Sequence, residues 1–198
     1  MLLVLVRHGE TAWNRENRVQ GTSDTPLSDN GIRQAERLAS SMAGEEIDLI
    51  VTSPLRRAAE TASIINRGLN APLRTDEDLR ELDQGIFEGM GYTELMRDHG
   101  DFLRRWAADP ASVVMPGGES LSALEKRAWG AVQRTIASSE CALIVSHNFT
   151  ITVILCRALG IPLSEFRRIR LENASISVLD FRIDTITAVM INDTAHLK

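Results

Sequence analysis

LLVLVRHGET, residues 2–11, is the stretch of sequence that decides the fold. Five consecutive aliphatic residues end at Val6, and the polar residues from Arg7 to Thr11 follow at once. A continuous aliphatic run without polar alternation is typical of a strand covered on both faces in a mostly parallel sheet. We therefore predict a central strand over residues 2–6, with Arg7 and His8 just beyond its carboxyl end.

The same strand-turn-helix pattern recurs further along the chain. Short aliphatic runs at 47–52 and 142–146 predict two more buried strands. Ser28 offers an N-cap for a helix before the second strand, and Ser53-Pro54 predicts the start of a helix that runs to about Arg67. The remaining predicted elements are helices over about 119–136 and 151–159, and strands 175–181 and 185–191 that form a hairpin or an adjacent edge pair.

This order of elements predicts an α/β fold. We expect one three-layer α/β/α domain over residues 1–198, with a mostly parallel central sheet and helices on both faces. Residues 79–118 are rich in glycine and proline, which predicts an irregular segment. We call it the cover segment, because a segment of this kind is typical of an active-site cover.

Composition restricts the class of protein. Of the 198 residues, 43% are hydrophobic and 25% are charged, which excludes a disordered or collagen-like chain. The net charge of −5 disfavours binding to nucleic acid or to an anionic membrane surface. The first aliphatic run is too short for a signal peptide or a membrane span, so we expect a cytoplasmic protein whose Cys141 and Cys156 are reduced.

Polar residues at the ends of the predicted strands indicate where a ligand would bind. In open α/β sheets, ligands bind beyond the carboxyl ends of the strands. His8, Arg57 and His147 all lie at or soon after such ends, and Arg7 precedes His8. A guanidinium group suits phosphoryl oxygens, and a neutral imidazole can attack phosphorus. Spacing alone leaves an alternative open, in which these are hydrogen-bonded histidines at strand ends and arginines in surface ion pairs.

Metal chemistry is not expected from the sequence. The four histidines form no HExxH pattern, and no aspartate-rich calcium or magnesium loop occurs. We therefore expect catalysis without a metal ion or another cofactor.

The motifs resemble those of the histidine phosphatase superfamily, the phosphoglycerate mutase-like proteins. The resemblance extends over essentially the whole chain, and its motifs occur in the order of the family. They are Leu5-Val6-Arg7-His8-Gly9-Glu10-Thr11, Trp13-Asn14, Arg18-Val19-Gln20-Gly21, Ser53-Pro54-Leu55-Arg56-Arg57-Ala58, Leu79-Arg80-Glu81-Leu82-Asp83, Pro116-Gly117-Gly118-Glu119-Ser120, Val145-Ser146-His147 and Asn173-Ala174-Ser175.

This resemblance implies a role for each matching residue. His8 would be the nucleophile and Glu81 the proton donor, with Arg7, Arg57 and a protonated His147 around the phosphoryl group. The remaining residues expected at the phosphate or substrate are Asn14, Gln20, Gly21 and Asn148. For His8 we also expect a neutral ring whose other nitrogen donates a hydrogen bond to a backbone carbonyl. For Glu81 we expect a pKa raised by the phosphate of the substrate.

The resemblance implies a metal-independent phosphomonoesterase that acts on small phosphorylated metabolites through a phosphohistidine on His8. The alternative is a cofactor-dependent phosphoglycerate mutase, whose members are generally longer, with a larger basic insert after the acid. A non-catalytic binding module is a third class, which the intact motifs disfavour. The chain is similar to metal-independent phosphoserine, α-ribazole and broad-specificity phosphatases, but Gln84 stands where the phosphoserine enzymes have a histidine. Both a monomer and a homodimer remain open.

Overall fold

The computed structural model describes residues 1–183 and 185–198. Within that part of the chain it forms one sheet of six strands in the order β3-β2-β4-β1-β5-β6. The strands are β1 (Leu2–Arg7), β2 (Leu49–Thr52), β3 (Leu73–Thr75), β4 (Cys141–Ser146), β5 (Ile176–Phe181) and β6 (Ile186–Asp193). The predicted central position of the first strand is confirmed, since β1 lies between β4 and β5.

The sheet is mixed, with a parallel majority. The β3-β2, β2-β4 and β4-β1 pairs are parallel. The β1-β5 and β5-β6 pairs are antiparallel, which confirms the predicted C-terminal strand pair. In the register of β1 and β4, Arg7 lies opposite Ser146. The residues that follow these two strands, His8 and His147, are therefore neighbours at the carboxyl edge of the sheet.

The described residues also form seven α-helices. They are α1 (Ala12–Arg15), α2 (Asp29–Ser41), α3 (Arg56–Leu69), α4 (Tyr92–Asp98), α5 (Gly100–Ala108), α6 (Leu121–Ile136) and α7 (Asn148–Leu159). Ser28 caps α2 as predicted, because its side chain accepts a hydrogen bond from the backbone N–H of Gly31. None of these helices is long and apolar enough to cross a membrane.

Helices cover both faces of the sheet, as the α/β/α prediction requires. Val6 of β1 packs in a core with α2 and α3 on one face. Leu3 and Leu5, which point to the opposite face, pack in a core with α6 and α7. Both leucines are fully buried, and burying a side chain of this size contributes roughly 1.5–3 kcal/mol. The aliphatic run near the start of the sequence therefore contributes side chains to the cores on both faces of the sheet.

Three helix starts differ from the prediction. Helix α3 begins at Arg56 and not at Ser53, and its N-cap residue Leu55 makes no side-chain cap. The Ser53 hydroxyl lies 2.7 Å from His147 Nε2 and also accepts from the Leu55 N–H (3.3 Å), ahead of the helix. Helix α6 begins at Leu121 after a cap by Ser120, and α7 begins three residues earlier than the apolar pattern indicated.

The cover segment is more regular than its composition predicted. Helices α4 and α5 lie within it, joined at His99. Phe87, Phe102 and Met115 of this segment are buried in the same core as β1. Burial of these side chains offsets the cost of the many glycines and orders the segment against the domain.

Candidate active site

Two buried histidines face each other where β1 and β4 end. The backbone N–H of His8 donates to the carbonyl of Ser146 (3.0 Å), which continues the β1-β4 pairing past the strands. The ring centroids of His8 and His147 are 5.1 Å apart with an interplanar angle of 60°. The exposed fractions are 3% for His8 and 0% for His147. The convergence predicted from the strand ends is confirmed.

Hydrogen bonds fix the tautomer of His8. Its Nδ1 lies 2.7 Å from the carbonyl oxygen of Gly9, which can only accept, so Nδ1 carries the proton. The guanidinium Nε of Arg57 donates to Nε2 at 3.3 Å, so Nε2 presents a lone pair. The expected backbone-carbonyl acceptor is thus present. Burial, followed by the charges of Arg57 and Arg7, holds the pKa of His8 well below its usual 6.5. The ring is therefore neutral at pH 7.

The loop over residues 21–23 holds Arg57 against His8. The two terminal nitrogens of this buried guanidinium donate to the carbonyls of Ser23 (2.8 Å) and Gly21 (2.7 Å). Gly21 therefore contacts the arginine through its backbone. Burial lowers the pKa of Arg57 to about 10, so the group stays charged at neutral pH. In turn, the Glu88 carboxylate accepts from the backbone N–H groups of Thr22 and Ser23.

Arg7 and His147 complete the positively charged surroundings. Arg7 donates from Nη1 to the carbonyl of Leu171. The His147 Nε2 lies 2.7 Å from the Ser53 hydroxyl oxygen. Within the described residues, Arg7 Nε and His147 Nδ1 are buried without a hydrogen-bond partner. Buried polar atoms of this kind usually have a hydrogen-bond partner. The oxygens of a bound oxyanion would provide one for each of them.

The protonated His147 that we expect beside a phosphoryl group is not favoured by the protein's own side chains. Burial, followed by the charges of Arg57 and by His8 and Arg7, holds the pKa of His147 well below its usual 6.5. The sequence could not show that the ring is fully buried, which is the largest cause. A bound phosphoryl group would oppose this shift through its negative charge.

Glu81 approaches the site from the cover segment and binds the first turn of α7. Its exposed fraction is 4%. Oε1 accepts from the backbone N–H groups of Leu82 (2.9 Å) and Thr150 (3.2 Å) and lies 3.2 Å from the Thr150 hydroxyl. Oε2 accepts from the Phe149 N–H (3.1 Å), its one partner within the described residues. Oε2 is therefore the oxygen better able to hold a proton.

The pKa of Glu81 is raised by the protein itself, through a cause that the sequence analysis did not name. Burial raises this pKa, while the N–H groups of Leu82 and Phe149 and the charges of Arg57 and Arg7 oppose the shift. The negative charge of a bound phosphate would raise this pKa further, in the same direction as burial.

The other predicted site residues lie around these groups. Asn14 Oδ1 accepts from the Thr11 N–H (3.0 Å) and from Asn173 Nδ2 (3.2 Å). Asn173 Nδ2 also donates to the carbonyl oxygen of His8 (3.3 Å). Gln20 Oε1 accepts from the Thr11 hydroxyl at 2.8 Å. Asn148 is the first residue of α7, half-buried next to His147. Asn14 and Gln20 thus brace the loops around His8.

The sequence analysis assigned no role to several residues that support the site. Thr61 accepts from the Gly9 N–H (3.2 Å) and donates to the carbonyl of Arg57 (2.7 Å), so one hydroxyl links the backbones of both site segments. Gly9 has to be glycine, because a Cβ there would lie 2.5 Å from the carbonyl oxygen of Gly31. Ser53 and Asn173 stand in the quoted motifs, which was the available signal, whereas Thr61 lies outside them.

We expect acid to destabilise the protein through His8 and His147. An unfolded histidine takes up a proton near its usual pKa of 6.5, whereas the buried rings resist protonation. Below that pH the unfolded state therefore binds more protons, and the free energy of unfolding falls. The contribution of both rings is present above about pH 6.5 and is lost as the pH falls.

Urea unfolding at about pH 7.5 and about pH 5.5 measures this effect. His147→Gln is expected to reduce the difference in unfolding free energy between the two pH values. The half-buried His99 on the cover segment offers a control, His99→Gln, that should keep the wild-type difference. An unchanged difference in His147→Gln would contradict the explanation.

Across residues 1–183 and 185–198, no group of three or more His, Cys, Asp or Glu side chains is placed to hold a metal ion. The same part of the chain contains Cys141 and Cys156 as free thiols, as expected.

Comparison with known proteins agrees with this geometry. A family model described as "Histidine phosphatase superfamily (branch 1)" matches residues 3–194. The chain is 34% identical over 197 residues to Phosphoserine phosphatase 1 of Hydrogenobacter thermophilus, covering 98% of this chain and 93% of that protein. It is 37% identical over 180 residues to Probable phosphoglycerate mutase GpmB of Cronobacter sakazakii, covering 90% of this chain and 84% of that protein.

A solved structure, Bacillus stearothermophilus YhfR, superimposes with a TM-score of 0.93 at 30% identity, covering 100% of this chain and 99% of that one. The fold and these matches define an enzyme of the phosphatase class. The chain belongs to the histidine phosphatase superfamily, branch 1.

Proposed function

We propose that the protein is a metal-independent phosphomonoesterase that hydrolyses small phosphorylated metabolites through a phosphohistidine on His8. One observation supports this above the others. The Nε2 lone pair of His8 faces the Arg57 guanidinium at 3.3 Å, while Nδ1 is held on the Gly9 carbonyl at 2.7 Å. An arginine that contacts the attacking nitrogen is placed to bind the phosphoryl group that this nitrogen would attack.

In the first half-reaction, the Nε2 lone pair of His8 forms a bond to phosphorus and the ester P–O bond breaks. The proton stays on Nδ1, hydrogen-bonded to the Gly9 carbonyl oxygen, so the phosphorylated ring carries the positive charge. Arg7, Arg57 and His147 Nδ1 surround the phosphoryl oxygens. Fixed donors of this kind stabilise the charge on the transferring group without having to reorganise during the reaction.

Glu81 serves both half-reactions. In the first, its Oε2 gives a proton to the departing alkoxide oxygen, and the raised pKa keeps that proton available. In the second, the resulting carboxylate takes a proton from water as the water oxygen bonds to phosphorus. The P–N bond then breaks, its electron pair returns to His8, and phosphate leaves.

Metal independence is part of the proposal, because the buried guanidinium groups of Arg7 and Arg57 supply positive charge where a metal ion often does so. We expect hydrolysis of p-nitrophenyl phosphate to be unchanged, within about twofold, after EDTA treatment and desalting. Activity that is lost in EDTA and restored by one divalent cation would contradict this part of the proposal.

The substrate class follows from charge and size. A net charge of −5 with two arginines beside His8 fits small phosphate esters better than an extended phosphoprotein. Phosphoserine is one candidate, because of the 34% identity to Phosphoserine phosphatase 1. Gln84, which is 6% exposed, stands where the phosphoserine enzymes that the sequence resembles have a histidine. We therefore propose small phosphomonoesters as a class, including phosphoserine and sugar or ribazole phosphates.

The phosphoglycerate mutase alternative has one observation in its favour, the 37% identity to Probable phosphoglycerate mutase GpmB. Against it, the residues after Glu81 form a short 3₁₀ turn, Gly85–Phe87, and not the larger basic insert of family mutases. A mutase has to keep the phosphoenzyme from water and return the group to a second hydroxyl of the same acid.

A screen of phosphorylated metabolites, ranked by kcat/KM for phosphate release, tests the proposal. We expect phosphate release from several small esters and negligible conversion of 3-phosphoglycerate into 2-phosphoglycerate. Rapid interconversion with negligible hydrolysis would establish the mutase instead. If circular dichroism shows a folded protein and no ester is turned over, the non-catalytic binding module is the remaining interpretation.

A further inference from the structure

Arg127 of α6 binds the backbone of residues 78–81, which end at Glu81. Its Nη1 donates to the carbonyl oxygens of Asp78 (2.8 Å) and Arg80 (2.6 Å), and its Nη2 donates to that of Glu81 itself (2.9 Å). One guanidinium group thus satisfies three carbonyls within four residues. The side chain is only 21% exposed, so water does not readily replace these bonds.

Glu119 fixes Arg127 in this position. Its carboxylate accepts from Arg127 Nε (2.9 Å) and Nη2 (2.8 Å), a bidentate pair in which both side chains are largely buried. Such a pair sets the orientation of the guanidinium plane as well as its place. Glu119 belongs to the Pro116-Gly117-Gly118-Glu119-Ser120 motif, to which the proposed reaction gives no part.

The same motif holds the segment on the other side of Glu81. The Glu119 N–H donates to the Asp83 carbonyl (3.0 Å), and the Ile86 N–H donates to the Pro116 carbonyl (3.0 Å). A Cβ on Gly118 would lie 2.3 Å from the Asp83 carbonyl oxygen, so glycine allows this close approach. The backbone around Glu81 is therefore bound on both sides to one structural unit.

We propose that Arg127, held by Glu119, is a positioning residue that sets where the Glu81 carboxyl group stands for proton transfer to the leaving group. This inference rests on the proposed function. Arg127 contacts the backbone carbonyl of Glu81, and the first turn of α7 contacts its carboxylate. Together these contacts fix both the backbone and the side-chain end of the acid. A displacement of about 1 Å in such a group can cost on the order of 10²-fold in rate.

The test compares Arg127→Lys with Arg134→Gln. Arg134 lies on the same helix and binds Asp76 and Asp78 through their side chains, with half of its own side chain exposed. The readout is kcat/KM for p-nitrophenyl phosphate, whose leaving group needs little protonation, and for an alkyl phosphate, whose leaving group needs a proton. In Arg127→Lys we expect about a 10- to 100-fold loss with the alkyl ester and less than about threefold with the nitrophenyl ester. Arg134→Gln should change neither.

A double variant sharpens the test. Once Glu81→Gln has removed the acid, adding Arg127→Lys should cost less than about threefold more with the alkyl ester, since there is no proton left to position. Should Arg127→Lys fail to fold, Glu119→Gln removes the charge that orients the guanidinium group and is expected to show the same ester dependence.

Equal losses with both esters, no loss with either, or losses that multiply in the double variant would overturn the role of Arg127. Failure of the proposed function looks different, because the wild-type protein would then release no phosphate from either ester.

Discussion

Replacing His8 with alanine is expected to lower kcat for every phosphate ester by roughly 10⁴- to 10⁶-fold. The reason is that Nε2 of this ring is the atom that would bond to phosphorus, and no other described nucleophile lies in the same place against Arg57. Steady-state phosphate release from p-nitrophenyl phosphate measures the effect. We do not expect the buried neighbour His147 to replace it, because its Nε2 is hydrogen-bonded to Ser53 and its Nδ1 is proposed to donate to the phosphoryl oxygens.

A matched control uses another histidine of the chain. His196 is on the C-terminal 3₁₀ turn Ala195–Leu197, and His196→Asn should keep at least about half of the wild-type rate. A His8→Ala protein that is folded and retains more than about one hundredth of the activity would mean that another group attacks the ester.

Glu81→Gln has the second-largest expected effect, and the effect depends on the leaving group. With an alkyl phosphate we expect kcat/KM to fall about 10²- to 10⁴-fold, because the alkoxide needs a proton as it departs. With p-nitrophenyl phosphate kcat/KM should fall much less, since kcat/KM covers only the steps through loss of the alcohol. Phosphoenzyme hydrolysis also needs the carboxylate, so this variant should show a burst of p-nitrophenol followed by slow turnover.

Glu77→Gln controls for the loss of a carboxylate close to Glu81 in the chain, just before the cover segment. Glu77 is largely exposed and pairs with Arg80, so its removal should leave both esters unaffected. Equal losses with the two esters in Glu81→Gln would remove the acid role and leave Glu81 as a structural residue.

The sequence predicted the centre of the site well, because the signal was local. An aliphatic run identifies a buried strand, and parallel neighbours bring their carboxyl ends to one edge of the sheet. Arg7, His8 and His147 follow such runs directly, so their convergence needed only the pairing of β1 with β4. The strand-end pattern also indicated Arg57, at the start of α3, and the resemblance to the family then supplied Glu81 on the cover segment.

The contacts of Ser53 could not be predicted in the same way. A serine before a proline is a good N-cap, but its hydroxyl can make another bond instead. The competing partner, His147, is 94 residues away in the chain and comes within 2.7 Å only in the folded protein. The hydroxyl still accepts from the Leu55 N–H (3.3 Å), so Ser53 supports the turn before α3 as well as contacting His147.

The effect of burial on the pKa values of His147 and Glu81 was the other property that local sequence patterns could not predict. The directions of the pKa shifts of His147 and Glu81 both follow from burial first, and burial depends on the packing of α7 and the cover segment. The helices of the cover segment were missed for a related reason. Its glycines and prolines predict turns, whereas α5 is stabilised by burial of Phe102 against the core.

The most direct test of the account is to trap and locate the phosphorylated residue. A reaction with radiolabelled substrate, mixed rapidly and stopped in alkali, should yield protein that holds the label in alkali and loses it in acid, as a phosphohistidine does. Peptide mapping should place the label on His8. A label that is stable in acid, that maps to His147, or that never forms while turnover continues would contradict attack by His8.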